Sequence, residues 1–218
     1  MESLINKTEN FVKKFLVNAE SGHNWWHAKR VRDNALYIAK RESQTCDIEI
    51  VELASLLHDI ADSKFHNGDE YKGVKIAKDF LSKNNLQKNK IDHILEIISK
   101  ISFHNSLDSD FQLNQEGKIV QDADRLDAIG AIGIARTFNY GGFKSREIYD
   151  PEIKPIINIS KDQYTKSTAP TINHFYEKLL LIKDLMNTKT GMKLAEERHS
   201  FMLKFLKQFY AEWEINNT

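Results

Sequence analysis

His58 and Asp59 stand side by side in the run Leu56-Leu57-His58-Asp59-Ile60-Ala61-Asp62, a stretch that is otherwise mostly apolar. Burying two such groups is costly unless something compensates them. A divalent cation would do so. Two further donors fit the same ion: His27, 31 positions before His58, and Asp124, 65 positions after Asp59. Asp122 and Asp127 compete with Asp124 on spacing alone. Two imidazoles and two carboxylates make a mixed nitrogen and oxygen set. That set suits octahedral Mn²⁺, Fe²⁺, Co²⁺, Ni²⁺ or Mg²⁺ with two positions left for water and a phosphate oxygen. The chemistry implied is metal-assisted attack on phosphorus.

Helices must carry these donors. Only three prolines and nine glycines occur in 218 residues, and the prolines cluster at 151, 155 and 170. Apolar residues recur at helical spacing, which predicts an all-α bundle of about eight helices. The expected spans are 2–19, 24–41, 47–61, 69–84, 88–103, 118–138, 172–186 and 190–214. His58 follows Ala54 by four residues and His27 precedes Val31 by four, so both face inward. Asp124 shares its expected face with Ala128, Ala131 and Ala135, small side chains that let a neighbour approach. The ion would then lie between the second, third and sixth helices of a single domain, 1–218. Residues 139–170 lack helical periodicity and are long for a connection. Tyr140-Gly141-Gly142 should end the sixth helix. The segment reads as an irregular loop or a lid that brings Lys144, Arg146 and Lys154 to a phosphate.

Other residues fill supporting roles. Arg30 lies one turn after His27, and a guanidinium suits bidentate phosphate binding. Lys64 and Lys72 are further cations. His104 is a candidate for a phosphate contact or, with His93, for a second metal. His93 lies off the isoleucine stripe of its helix, so one ion is the preferred reading. Trp25-Trp26 could stack on a base, but the pair reads better as core packing. His23, His66, His174 and His199 read as surface or half-buried, with His174 and Arg198 also able to line a pocket.

Composition narrows the class. Lysine and arginine total 31, aspartate and glutamate 31, and the formal charge is zero. A protein that coats nucleic acid normally carries a basic excess. No apolar run reaches the roughly 18 residues of a membrane span. The lone Cys46 cannot form an intrachain disulfide, which favours a reducing cytoplasm. Neither GxxxxGK[ST] nor GxGxxG occurs, which argues against a P-loop enzyme. An oligomer is compatible with all of this.

Trp26-His27-Ala28-Lys29-Arg30-Val31, Leu57-His58-Asp59-Ile60-Ala61-Asp62 and Val120 to Gly130 together resemble the HD-domain superfamily of metal-dependent phosphohydrolases. With the helix from Arg198 to Trp213, the resemblance spans most of the chain. It is similar to the small stand-alone bacterial branch, the YpgQ-like proteins. The resemblance implies metal ligands His27, His58, Asp59 and Asp124, the last because the ligand immediately precedes a basic residue, here Arg125. It implies that an acid one turn after Asp59, here Asp62, handles the attacking water, although most relatives carry a glutamate there. It implies hydrolysis of nucleoside triphosphates to monophosphate and pyrophosphate. The alternatives on the same metal are a phosphomonoesterase or a cyclic-nucleotide phosphodiesterase. A regulatory nucleotide-binding protein with little turnover is the non-enzymatic rival, and the intact donor set argues against it. The Gly-Tyr-Pro signature of relatives that cleave cyclic dinucleotides is absent.

Overall fold

A computed structural model describes residues 2–17, 19, 22–43, 45–61, 66, 69–101, 112–157 and 167–214. The chain divides into two compact units, Met1–Asp124 and Arg125–Thr218. Among the described residues every regular element is helical, as the scarcity of helix breakers predicts.

The first unit carries α1 (Leu4–Phe15), α2 (Trp25–Ala39), α3 (Ile48–Leu57), α4 (Glu70–Lys83), α5 (Lys88–Lys100) and most of α6 (Gln115–Asp127). Their starts are set by short polar side chains that accept otherwise unpaired backbone N–H groups. Ser3 caps α1, Asn24 caps α2, Asp47 caps α3 and Asp69 caps α4. Seven of the ten residues of α3 are buried, so this helix is apolar nearly all round and runs through the core. Its one buried hydroxyl, Ser55 Oγ, donates to the Val51 carbonyl at 2.7 Å.

Neighbours hold α3 in place. Arg32 on α2 donates from Nη1 to Glu9 on α1 at 2.9 Å and from Nε to Glu52 on α3 at 2.7 Å. Lys90 on α5 bridges Asp47 at 2.9 Å and Glu49 at 2.6 Å. Glu116 on α6 accepts the Asp47 N–H at 2.9 Å. Phe11 and Phe80 stack at 4.2 Å and join α1 to α4.

The second unit holds α7 (Gly130–Phe143), α8 (Asn173–Glu177), a tight helical stretch over Leu179–Leu185, and α9 (Lys189–Trp213). Phe205 on α9 is the hub of its aromatic packing, 5.7 Å from Phe175 and 5.9 Å from Phe138. The buried Asp127 pairs with Arg136 at 2.7 Å.

Two expected helices differ from the prediction. The third α-helix stops at Leu57, and His58–Ala61 winds on as a tighter turn. The expected sixth helix, 118–138, is two helices that break at Ala128-Ile129. Ile129 is extended at φ −125° and ψ 169°, and Gly130 takes φ +75°, a region that favours glycine. The shared face proposed for Asp124, Ala128, Ala131 and Ala135 therefore does not exist. Ala131 and Ala135 sit on α7 and are exposed. Gly130 and Gly133 were the signal for the break.

Gly141 and Gly142 lie inside α7 and do not end it. Gly141 is needed for a close approach, since a Cβ there would lie 2.2 Å from Thr171 Oγ1. The described flanks of the expected lid are tied down. Thr171 N–H donates to the Glu147 carbonyl at 2.8 Å, Arg146 donates to the Ser167 carbonyl at 2.6 Å, and Lys154 donates to the Pro151 carbonyl at 2.7 Å. The remainder of that segment, 158–166, lies outside the described residues.

Candidate metal centre

Two helices and the turn after α3 bring four donors to one place in the first unit. His27 comes from the first turn of α2, whose start is fixed because the Asn24 side chain accepts the Trp26 and His27 N–H groups. His58 and Asp59 come from the tight turn, and Asp124 from the last turn of α6. The two imidazole Nε2 atoms approach to 3.2 Å. His27 Nε2 is 3.4 Å from Asp124 Oδ1 and 3.6 Å from Asp59 Oδ2. His58 Nε2 is 3.5 Å from Asp59 Oδ1 and 3.8 Å from Asp124 Oδ1.

The tight turn matters for aim. His58 Nδ1 lies 2.7 Å from the Ser55 carbonyl. A carbonyl only accepts, so Nδ1 carries a proton, and in the neutral ring the lone pair of Nε2 points into the cluster. A partner of this kind orients metal-binding imidazoles. His66, expected near the surface, is buried and places Nε2 2.8 Å from the Ile60 carbonyl, which holds the far end of the turn.

The donor set fits a cation. Asp59 Oδ2 is buried and has no hydrogen-bond partner, an expensive state for a carboxylate oxygen unless positive charge meets it. Donors about 2.1 Å from one octahedral ion stand about 3.0 Å apart when adjacent and about 4.2 Å when opposite. The separations between the two imidazoles and from them to the carboxylates, 3.2 to 3.8 Å, lie within that span. Burial would raise the Asp59 carboxyl, but the charges of His58, His23 and His27 outweigh it and hold the group well below the ordinary carboxylate range. Burial also opposes ionisation of Asp124, and again the imidazoles win, His27 through a hydrogen bond and His58 and His27 through charge. Both carboxylates are thus anionic in a cluster that collects negative charge.

The competitors of Asp124 go elsewhere. Asp122 is fully buried and joins neither donor group among the described residues. Asp127 is committed to Arg136. Arg125, the basic residue beside Asp124, is buried and donates to the Leu185 carbonyl. Arg30 is half-buried on α2. Trp26 is 61% exposed, so it is not the core residue expected, whereas Trp25 packs under Lys13, 4.3 Å from its ring. His93 contacts Asn114 at 2.5 Å and lies 3.7 Å from Glu116, outside both donor groups. Lys72 is exposed on α4. Asp62, Lys64 and His104 lie outside the described residues. The residue that sequence reasoning missed is His23, whose Nδ1 reaches Asp59 at 3.4 Å. Its place just before the α2 cap, four residues from His27, was the available signal.

Arg198 and His174, considered as pocket residues, belong to the second unit. Arg198 donates to the Leu126 carbonyl and lays its stem against Gly130. Burial, with the charges of Lys178 and Arg146, pushes His174 down to about 3. The unfolded residue takes up its proton near pH 6.5 while the folded one stays neutral. The folded state is therefore fully favoured above about pH 6.5 and loses stability as the pH falls toward 3. Between pH 7 and 5 the loss due to His174 is up to about 2 kcal/mol. In urea unfolding, His174→Gln should flatten that acid limb; an unchanged limb would show that His174 protonates freely in the fold.

Known proteins share this frame. The HD domain family model matches residues 25–129, which contain all four donors. YpgQ of Bacillus subtilis is 41% identical over 200 residues, 91% of this chain and 88% of its own. The crystal structure of that protein in complex with ADP superposes with a TM-score of 0.75 at 37% identity, covering 96% of this chain and 94% of the other. A Lactobacillus plantarum protein superposes with a TM-score of 0.83 at 37% identity over 98% of each chain. An HD-superfamily hydrolase from Bacillus thuringiensis does so at 0.75 and 44% identity over 96% of each. A relative 41% identical over 91% of this chain, together with the HD domain match, means that the chain belongs to the HD-domain family, in the branch that contains YpgQ.

Proposed function

We propose that the protein is a metal-dependent phosphohydrolase that cleaves nucleoside triphosphates to monophosphate and pyrophosphate. The observation that carries this reading is the buried Asp59 Oδ2, left without a hydrogen bond where His27, His58 and Asp124 converge. A divalent ion such as Mn²⁺, Co²⁺, Ni²⁺, Fe²⁺ or Mg²⁺, when bound, polarises a phosphoryl oxygen and makes water a better nucleophile. His27, His58, Asp59 and Asp124 would hold it. Arg30, one turn along α2 from His27, would bind a phosphate and offset charge as it develops. The exposed Trp26, one turn before Arg30, offers an indole face on which a base can stack. Support for a nucleotide also comes from the ADP bound in the crystal structure of YpgQ. His104 is proposed as a second phosphate contact. No helix among the described residues is long and apolar enough to cross a membrane. The single cysteine, half-buried, fits the reducing cytoplasm in which we place the enzyme.

The test is a panel of nucleoside mono-, di- and triphosphates and cyclic nucleotides, assayed with added Mn²⁺ for phosphate and pyrophosphate release. Pyrophosphate and monophosphate from triphosphates are expected. Release of orthophosphate alone would move the assignment to a phosphomonoesterase. We further assign the water-handling acid to Asp62. Asp62→Asn should keep bound metal and lower turnover about 10²-fold or more, the range for loss of a general base. Wild-type turnover in that variant would remove Asp62 from the chemistry.

A further inference from the structure

His23 lies one residue outside the cap of α2, which begins at Asn24. Its Nδ1 is 3.4 Å from both carboxylate oxygens of Asp59. Its ring meets the His27 ring edge-on, with centroids 5.4 Å apart. The side chain is 27% exposed, while that of His27 is 0% and that of Asp59 is 5% exposed, so His23 stands on the solvent side of the cluster.

Asp59 needs such a partner. The last torsion of an aspartate is broad, so the carboxylate turns easily unless it is held. One Asp59 oxygen is 3.5 Å from His58 Nε2 and the other 3.6 Å from His27 Nε2. A free carboxylate in that position can offer one oxygen to an ion or both. Offering both fills two coordination positions and leaves an octahedral ion one open position where water and a phosphate oxygen need two. A single N–H directed at the carboxylate from outside fixes its rotation. His23 lies with His27 and Asp59 and is the most exposed of the three, which puts it at the solvent edge of the donor set.

We propose that His23 is a positioning residue, donating its Nδ1–H to Asp59 and thereby setting the affinity and the open coordination of the metal centre. The role rests on the metal reading of the site given above. In this role His23 donates to Asp59 and is not itself a ligand.

The test uses the full chain stripped by a chelator and titrated with Mn²⁺ by calorimetry. Loss of an outer partner of a metal ligand typically costs 10–100-fold in affinity, and His23→Ala should fall in that range. The side-chain amide of asparagine reaches about as far as Nδ1 of histidine, whereas that of glutamine extends one methylene further. His23→Asn should therefore bind Mn²⁺ within about threefold of wild type, and His23→Gln should resemble His23→Ala. The metal-free melting temperatures of all three variants should stay close to wild type, a result that a purely structural role would not give. If His23→Ala does not fold, the comparison of His23→Asn with His23→Gln decides. Wild-type affinity in His23→Ala overturns the proposal, and so does an asparagine variant as weak as the glutamine variant. A wild-type chain that takes up no Mn²⁺, or Asp59→Ala that binds it normally, overturns the metal reading itself and this role with it.

Discussion

Asp59→Ala should lose bound metal and turnover together. Asp59 supplies one of two carboxylates to the donor set, and its Oδ2 has no hydrogen bond to give up. Removal therefore weakens chelation directly and leaves His27 and His58 facing a cation with half the anionic charge. The loss of metal affinity should exceed the ~10–100-fold cost of removing an outer partner. Chelation of the wild-type chain should give the same inactive state, and Mn²⁺, Co²⁺ or Ni²⁺ should restore it but not the variant. Metal-free stability at neutral pH should fall as well, because a carboxylate held below its ordinary range by neighbouring charge stabilises the folded chain. Elemental analysis after dialysis decides the matter: full occupancy in Asp59→Ala removes Asp59 from the ligand set.

Gly133→Ala should be the most damaging small substitution in the second unit. A Cβ at 133 would stand 2.2 Å from the Ala128 carbonyl oxygen and 2.5 Å from its carbon. Both atoms are backbone, at the junction where α6 ends, so neither can swing aside as a side-chain tip would. The junction must open or α7 must shift. Overpacking against movable neighbours costs 1–3 kcal/mol, and this rigid contact should cost at least about 3. For a chain of this size that lowers the melting temperature by roughly 6–12 °C. Gly142→Ala is the control, since nothing lies within 4 Å of its added Cβ. Equal melting temperatures for the two variants would show that the α6–α7 junction is soft.

The legible part of the molecule was what local chemistry dictates. Asp47 and Asp69 announced the starts of α3 and α4, and each caps its helix through two backbone N–H groups. His27 and His58 faced inward as their spacing from Val31 and Ala54 required, and both are buried. Asp124 meets both imidazoles, as the family resemblance implied where spacing alone left Asp122 and Asp127 in competition. Illegible were features decided by tertiary contacts. An apolar run cannot say that the winding tightens at His58, because that depends on where the Ser55 and Ile60 carbonyls find partners. Helical spacing continued across Ala128 to Gly130, so the break was visible only in two glycines whose need comes from Arg198 and the Ala128 carbonyl. His23 was read as surface or half-buried, which it is, but its contact with Asp59 was missed because loop residues have no period. Trp26 was read as core because it is large and apolar, yet its place beside His27 leaves it 61% exposed.

The fastening of α3 at Asp47, by Lys90 on one side and Glu116 on the other, turns the length of that helix into a phase constraint. One added or deleted residue between Asp47 and His58 would rotate the His58-Asp59 pair by about 100° and displace it by about 1.5 Å along the axis. A point substitution in α3 can be absorbed by repacking, but an insertion cannot, because the clamp prevents the helix from unwinding the error toward its start. Chains built on this frame should therefore vary in length in their connections and never within these ten residues.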